Sequence, residues 1–246
     1  MAWTCTGSTN SELIANLTKH SILKTPRVVQ ALNQVDRKYY VQTNPYADSP
    51  QRIGYGATIS APHMHAHAVE HLEPFLKPGA HVLDIGSGSG YLLSIFHQLV
   101  SSSATTGEGG GTVLGIDHLP SLVSLANSNL SQDPTVSSHL VSSTNSPLPP
   151  SSISNILYDG RLGAPPSQVP EGGFSAIHVG AASPEWPEKL IQQLSKPGRM
   201  FCPVGPDWGE QYVWLIDKKE DGTVEKKKLF GVSYIPLTDA ENQYTE

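Results

Sequence analysis

Three glycines at alternate positions end a short apolar run in the stretch HVLDIGSGSGYL, His81 to Leu92. Gly86, Gly88 and Gly90 read as G-x-G-x-G. The dinucleotide fingerprint G-x-G-x-x-G would need glycine where Tyr91 stands. The phosphate loop of nucleotide hydrolases would need a Gly-Lys-Ser/Thr ending, which this turn lacks. Asp84 lies two residues before the first glycine. A carboxylate there repels a pyrophosphate but suits a ligand that carries a cation or hydroxyls. S-adenosylmethionine carries an ammonium, a sulfonium and a ribose, and the glycines let the backbone lie close to its amino-acid part. Two more acids are placed in the same way. Asp117 ends TVLGID, where a carboxylate can accept from two ribose hydroxyls. Asp159, followed by Gly160 in ILYDGRLG, can meet an adenine amino group. Each acid alone is more often a cap or a surface residue. Three of them at successive strand ends, where open α/β sheets bind ligands, favour the ligand reading.

The elements that must position these residues alternate. Strands are predicted over 82–85, 113–116, 153–158, 176–179 and 200–204, with helices over 91–100, 120–130 and 187–194 between them. Such alternation predicts a doubly wound, mostly parallel sheet covered on both faces. Residues 212–216 and 229–235 read as a closing antiparallel pair turned at Glu220-Asp-Gly222. The front of the chain is helical. Ser11 is a candidate cap for Leu13, Ile14 and Leu17, and Thr25-Pro26 opens a second helix. Residues 44–56 read as loop, and 62–76 as a third helix. Loops rich in Ser, Gly and Pro are expected over 101–111 and 144–154. The expectation is one domain over 1–246, with helices and a substrate and cofactor loop in 1–78 and a cofactor-binding α/β core in 79–246.

Charged residues are only 15% of the 246, against a usual share of about 25%. A net charge of -6 leaves no basic footprint for nucleic acid. Lys226-Lys227-Lys228 reads as a solvated strand edge. Two cysteines, Cys5 and Cys202, make no disulfide framework and fit a reducing compartment, with Cys202 as a small buried hydrophobe. The start, MAWTCT, has no leader pattern, and no apolar run approaches the roughly 20 residues that span a bilayer. The expectation is a cytoplasmic monomer that touches neither membrane nor nucleic acid. His67 and His71, spaced i and i+4, could share a helical face with a metal, but no third ligand follows at a suitable spacing, so no metal is expected.

The chain closely resembles the protein-L-isoaspartate O-methyltransferases. The likeness runs through SELI, NPYADSPQRIGYGATISAPHMHAHAVE, LDIGSGSGYL, GIDH, DGRLG, AIHVGAA, CPVGP and VSYIPLTD. Its most specific element is ATISAPHMHA, Ala57 to Ala66. The resemblance implies a Rossmann-like methyltransferase fold with added N-terminal helices. It implies methyl transfer from S-adenosyl-L-methionine, with S-adenosyl-L-homocysteine as product, to the free carboxyl of L-isoaspartyl and D-aspartyl residues in damaged proteins. It makes Ser60 the active-site serine, and Ala57, Thr58, Ile59, Ser60 and His65 the loop beside the cofactor. Asp84, Ile85, Gly86, Ser87, Gly88 and Ser89 fall in the glycine turn. Asp117, His118, Leu119, Pro120 and Ser121 fall at the ribose site, and Asp159 and Gly160 at the adenine site. Thr238 and Gln243 fall near the C-terminus on the cofactor side. Tyr158 departs from the family pattern, which commonly has a small residue there, and so bears on the adenine pocket's shape.

The residues support this chemistry independently. A carboxylate is ionised at neutral pH and is itself the nucleophile, so no Ser-His-Asp or Cys-His constellation is required, and none is evident. Catalysis then rests on alignment. Ser60 has two readings: it aligns the substrate carboxylate together with amides at the start of the Pro62 helix, or it caps that helix. Backbone pairing with ATIS on one side and CPVGP, Cys202 to Pro206, on the other is expected to clamp an extended substrate.

Overall fold

The computed structural model describes residues 5–101, 110–142, 148–206, 209–239, 241 and 243. Residues 1–4, the middle of the first expected long loop (102–109) and the start of the second (up to 147) lie outside them. Seven strands form one sheet in the order β5-β4-β3-β6-β7-β8-β9. They are β3 (His81–Ile85), β4 (Thr112–Asp117), β5 (Ile153–Leu157), β6 (Phe174–Val179), β7 (Leu194–Val204), β8 (Gln211–Lys218) and β9 (Val224–Val232). The first five are parallel, and β8 and β9 close the edge antiparallel. The chain winds outward from β3 in both directions, so the switch point lies between β3 and β6. That is where a sheet of this kind opens a crevice at its carboxyl ends.

Alternation along the strands divides the core. Val82, Val113 and Phe201 join one buried cluster, while Leu83, Leu114 and Met200 join the other, as the two faces of a pleated sheet require. The helix α4 (Tyr91–Val100) is buried almost all round. It has the sheet on one side and the N-terminal helices on the other, which is why YLLSIFHQLV lacks a polar stripe. Helix α5 (Pro120–Gln132) follows β4, and α6 (Glu188–Gln193) precedes β7. The front of the chain supplies α1 (Asn10–Lys19), α2 (Pro26–Gln34) and α3 (Pro62–Leu72), the last prolonged by a short 3-10 turn at Glu73–Phe75. Two polar links tie this front to the core. The Tyr40 hydroxyl lies 2.5 Å from both Ser94 Oγ and Asp133 Oδ2. Arg27 donates to the Leu76 and Leu99 carbonyls, each at 2.6 Å.

The structure corrects three local expectations. Thr9, not Ser11, caps α1: its hydroxyl accepts from the Glu12 amide. Thr25 occupies the cap position of α2, but its hydroxyl turns to Glu70 Oε2 at 2.8 Å. Residues 44–56 are not all loop. Gln51–Gly54 (β1) pairs antiparallel with Ala57–Ile59 (β2) across a turn at Tyr55-Gly56. The Lys226–Lys228 run does lie on the edge strand β9.

Candidate active site

The glycine turn leaves β3 with Gly86, Gly88 and Gly90 all at positive φ, at 74°, 51° and 84°. Only glycine takes such angles without strain. At Gly90 a Cβ would also press on Ala126 at 3.3 Å, so α4 and α5 could not sit as close as they do. The turn is held from three sides. The Gly86 and Ser87 amides donate to the Ile116 carbonyl, Ser87 Oγ donates to Asn155 Oδ1 at 2.8 Å, and the Gly88 amide donates to Asp117 Oδ2 at 3.1 Å.

A cavity of about 310 Å³ opens above this turn at the strand ends. That is at the small end of the range for ligand sites. Its floor is Ile85, Gly86, Gly88, Ile116 and Asp117. One wall is Ala57, Thr58, Ser60, Ala61 and Met64, and the other is Gly180, Ala181 and residues 233–238. Asp159, Gly160 and Arg161 border one end, with His118, Leu122 and Gln243. A smaller inner recess of about 40 Å³ lies against Ile59, Ser60, His65, Asp84, Ser87, Ser89 and His178. Thr58, Ser60, Gly86, Gly88 and Gly180 border both spaces.

The candidate residues therefore come together, with differences in detail. Asp117 is buried, and its carboxylate accepts from the Gly88 and Leu119 amides. Burial pushes its pKa up, against the pull of those two amides. His118 Nε2 lies 2.5 Å from Gln243 Oε1, and Gln243 Nε2 donates to the Tyr55 carbonyl at 3.0 Å. One glutamine from the end of the chain thus bridges the β1–β2 turn and the end of β4. Leu119, Pro120 and Ser121 turn away into the start of α5 and do not border the cavity, whereas Leu122 does. The Asp159 carboxylate is taken up by its neighbour Arg161, which reaches it through Nε and Nη2 at 3.0 and 2.9 Å and holds its pKa down. Gly160 sits so tightly that a Cβ would meet Ile85 Cγ2 at 2.4 Å. Tyr158 does not border the cavity. Thr238 is part of the wall.

The readings of Ser60 also change. Ala61 takes the cap position of α3 and Pro62 opens the helix, so Ser60 is not the cap. Of the first helical amides, Pro62 has none and that of His63 donates to Asp48 Oδ1 at 3.0 Å. The Ser60 hydroxyl is instead engaged by the Tyr234 phenol, whose pKa burial pushes up to about 12. The expected clamp is half withdrawn. Cys202, Pro203 and Val204 are already paired with β8, and on the other side Pro203 O accepts from Ser183 N.

Sequence reasoning missed three residues here. His178, on β6, places Nδ1 2.7 Å from Asp84 Oδ1. Tyr234 reaches Ser60 from the far end of the chain. Arg37 lies wholly buried behind the Ser60 loop. Each is far in sequence from its partner, and a lone His, Tyr or Arg carries no spacing signal. Among the described residues no group of three or more His, Cys, Asp or Glu could hold a metal ion. His71 Nδ1 lies 2.7 Å from the His67 carbonyl.

The site's surroundings match a known family along the chain. The model of the family described as Protein-L-isoaspartate(D-aspartate) O-methyltransferase (PCMT) matches residues 8–242. A Caenorhabditis elegans protein-L-isoaspartate O-methyltransferase is 41% identical over 244 residues, 99% of either chain. Protein-L-isoaspartate O-methyltransferase 1 of Arabidopsis thaliana is 40% identical over 237 residues, covering 95% of this chain and 93% of its own. Among solved structures, a Plasmodium falciparum chain described as a protein-L-isoaspartate O-methyltransferase, in complex with S-adenosyl-L-homocysteine, superposes with a TM-score of 0.80 at 31% identity, covering 94% of this chain and 99% of its own. With the glycine turn, the strand-end acids and the ATIS segment brought to one cavity and its inner recess, and with relatives matched from end to end, this chain belongs to the protein-L-isoaspartate(D-aspartate) O-methyltransferase family.

Proposed function

We propose that the protein transfers the methyl group of S-adenosyl-L-methionine to the free carboxylate of L-isoaspartyl residues, and of D-aspartyl residues, in damaged proteins. The supporting observation is a single cavity bordered at once by Ser60, the glycine turn, Asp117 and Gly160. The residues suit the donor in three places. Asp117 and His118 take the ribose end, Gly160 lies against the adenine end, and the inner recess with Asp84 takes the amino-acid end. Ser60, on the wall shared by the cavity and the recess, is left to orient the acceptor carboxylate. The donor supplies a methyl group on a cationic sulfur.

The carboxylate oxygen forms a bond to the methyl carbon as the carbon–sulfur bond breaks and its electron pair stays on sulfur. No proton moves, so the protein's task is alignment and exclusion of water. The anionic oxygen and the sulfonium lose their charges together, so a cavity of low polarity does not oppose the step. An isoaspartyl link carries the main chain through the side chain and leaves the α-carboxylate as a short branch. A normal aspartate holds its carboxylate one carbon further out. A site that fixes both the donor and the peptide main chain reaches one and not the other. The next amide nitrogen then attacks the ester carbonyl, the acyl carbon–methoxy bond breaks, and methanol leaves with the amide proton as the succinimide closes without help from the protein.

We further infer that the protein acts as a single domain, as a monomer, in a reducing and cytoplasmic setting, without a nucleic-acid partner. Cys5 and Cys202 are buried and form no disulfide with each other, and among the described residues no helix is long and apolar enough to cross a membrane. The test of the main proposal is transfer of labelled methyl groups to isoaspartyl peptides with normal aspartyl peptides alongside.

A further inference from the structure

Arg37 is fully buried in the short turn before Tyr40, and no carboxylate among the described residues touches it. Asp48 is the acid that acts on it through space, and Asp48 is itself bonded to the amide and Nδ1 of His63. A buried cation without a contacting counter-ion is expensive, so its remaining contacts are informative. Nη2 donates to the Ser60 carbonyl at 2.7 Å, and Nη1 lies 3.1 Å from His65 Nδ1. The guanidinium stands over the Tyr91 ring, 5.1 Å from its centroid.

The contact with His65 admits one assignment. A guanidinium has donors and no acceptor. Nδ1 facing it must therefore be the unprotonated nitrogen, which leaves the ring's proton on Nε2 in the neutral form. A second proton would have to sit on Nδ1, pointing at Arg37. The other groups around the ring do not reverse this. The Tyr91 ring of α4 lies tilted against it, centroids 5.2 Å apart, His63 lies on the same helix, and His178 of β6, bonded to Asp84 of β3, faces it across the recess.

We propose that Arg37 is a positioning residue for this active site: its guanidinium locks His65 as a neutral Nε2–H donor for a carboxylate in the inner recess, and with its other arm fixes the Ser60 carbonyl. The carboxylate is that of the donor's amino-acid part or that of the acceptor, and in either case the assignment of its role rests on the function proposed above. The tautomer lock does not. In line with it, burial first and the Arg37 charge second hold the His65 pKa well below the usual imidazole value.

The test reads the ring and the reaction separately. Ring-nitrogen NMR of the ¹⁵N-histidine-labelled protein, with His65 assigned by its loss in H65Q, is expected to show the Nε2–H tautomer at neutral pH and no titration down to about pH 5.5. In Arg37→Met nothing holds the neutral ring's proton on Nε2, so the ring nitrogens show the Nδ1–H tautomer at neutral pH and transfer to an isoaspartyl peptide falls about tenfold; burial still keeps the His65 pKa below the usual imidazole value. Arg37→Lys, which keeps a donor toward Nδ1, restores the Nε2–H tautomer and most of the transfer. Loss of affinity for S-adenosylhomocysteine in Arg37→Met assigns the carboxylate to the donor, and a rise in peptide KM alone assigns it to the acceptor. A proton on Nδ1 in the parent protein, or a His65 that titrates normally there, overturns the proposal even if no Arg37 variant folds. An unchanged Nε2–H tautomer in a folded Arg37→Met overturns it too. A protein that passes the NMR test yet methylates no isoaspartyl peptide contradicts the function and leaves the lock standing.

Discussion

Single side chains in this site do two jobs at once, and substitutions should separate them. Asp117 holds the Gly88 and Leu119 amides and also faces the cavity. Asp117→Ala should weaken binding of S-adenosylmethionine by about 1.5–3 kcal/mol, roughly tenfold to a hundredfold, since hydrogen bonds to a charged acceptor are lost. Calorimetric titration checks this, and unchanged affinity would remove Asp117 from the ribose site. Ser60 is expected to behave differently. In the proposed function its hydroxyl orients the acceptor carboxylate, so Ser60→Ala should lower methyl transfer while cofactor affinity stays within about twofold, because the interaction matters most in the transition state. A matching fall in both would place Ser60 with the cofactor instead. The acids and Ser60 were legible in the sequence because each belongs to a short motif. The partners that orient them were not. Asp84 meets His178 and Ser60 meets Tyr234 only through the fold, and the spacing between such residues is set by topology rather than by any local rule.

At the scale of elements, the parallel strands and the helices between them were legible because their apolar runs are bounded by glycine and proline. The β1–β2 hairpin was not, since Gln51-Arg-Ile-Gly54 has one apolar residue and no alternation to read. Its position depends on partners elsewhere, among them Gln243 at the Tyr55 carbonyl. Helix starts were misread for a similar reason: Ser11 and Thr9 are equally good caps by type, and geometry chose Thr9. Two substitutions probe how elements fit together. Gly160→Ala forces its Cβ against Ile85 Cγ2, the side chain that floors the cavity. It should cost roughly tenfold or more in cofactor affinity through displacement alone, with a near-native circular dichroism spectrum. Arg27→Ala frees α2 from the Leu76 and Leu99 carbonyls and should reduce the unfolding free energy in urea by about 2 kcal/mol. A loss below a few tenths would mean that apolar packing alone seats α2.

For the molecule as a whole, several histidines are held neutral by the fold. Burial pushes His97 from the ordinary 6.5 to about 4, and burial lowers His65 and His81 in the same direction. Below about pH 6.5 the unfolded chain takes up protons that the folded chain refuses, so acidification favours unfolding. His97 alone should account for a loss of up to about 3 kcal/mol as the pH falls to about 4. Urea unfolding at several pH values should show that slope, flattened in His97→Gln. The account's central claim is that one cavity aligns a methyl donor with the short-branched carboxylate of an isoaspartyl link. The most direct measurement is labelled methyl transfer from S-adenosylmethionine to two peptides of identical sequence that differ only in an isoaspartyl or a normal aspartyl linkage. The prediction is ready methylation of the isoaspartyl peptide, with the normal peptide at background. Comparable methylation of both, or none of either by a protein with cofactor bound, would contradict it.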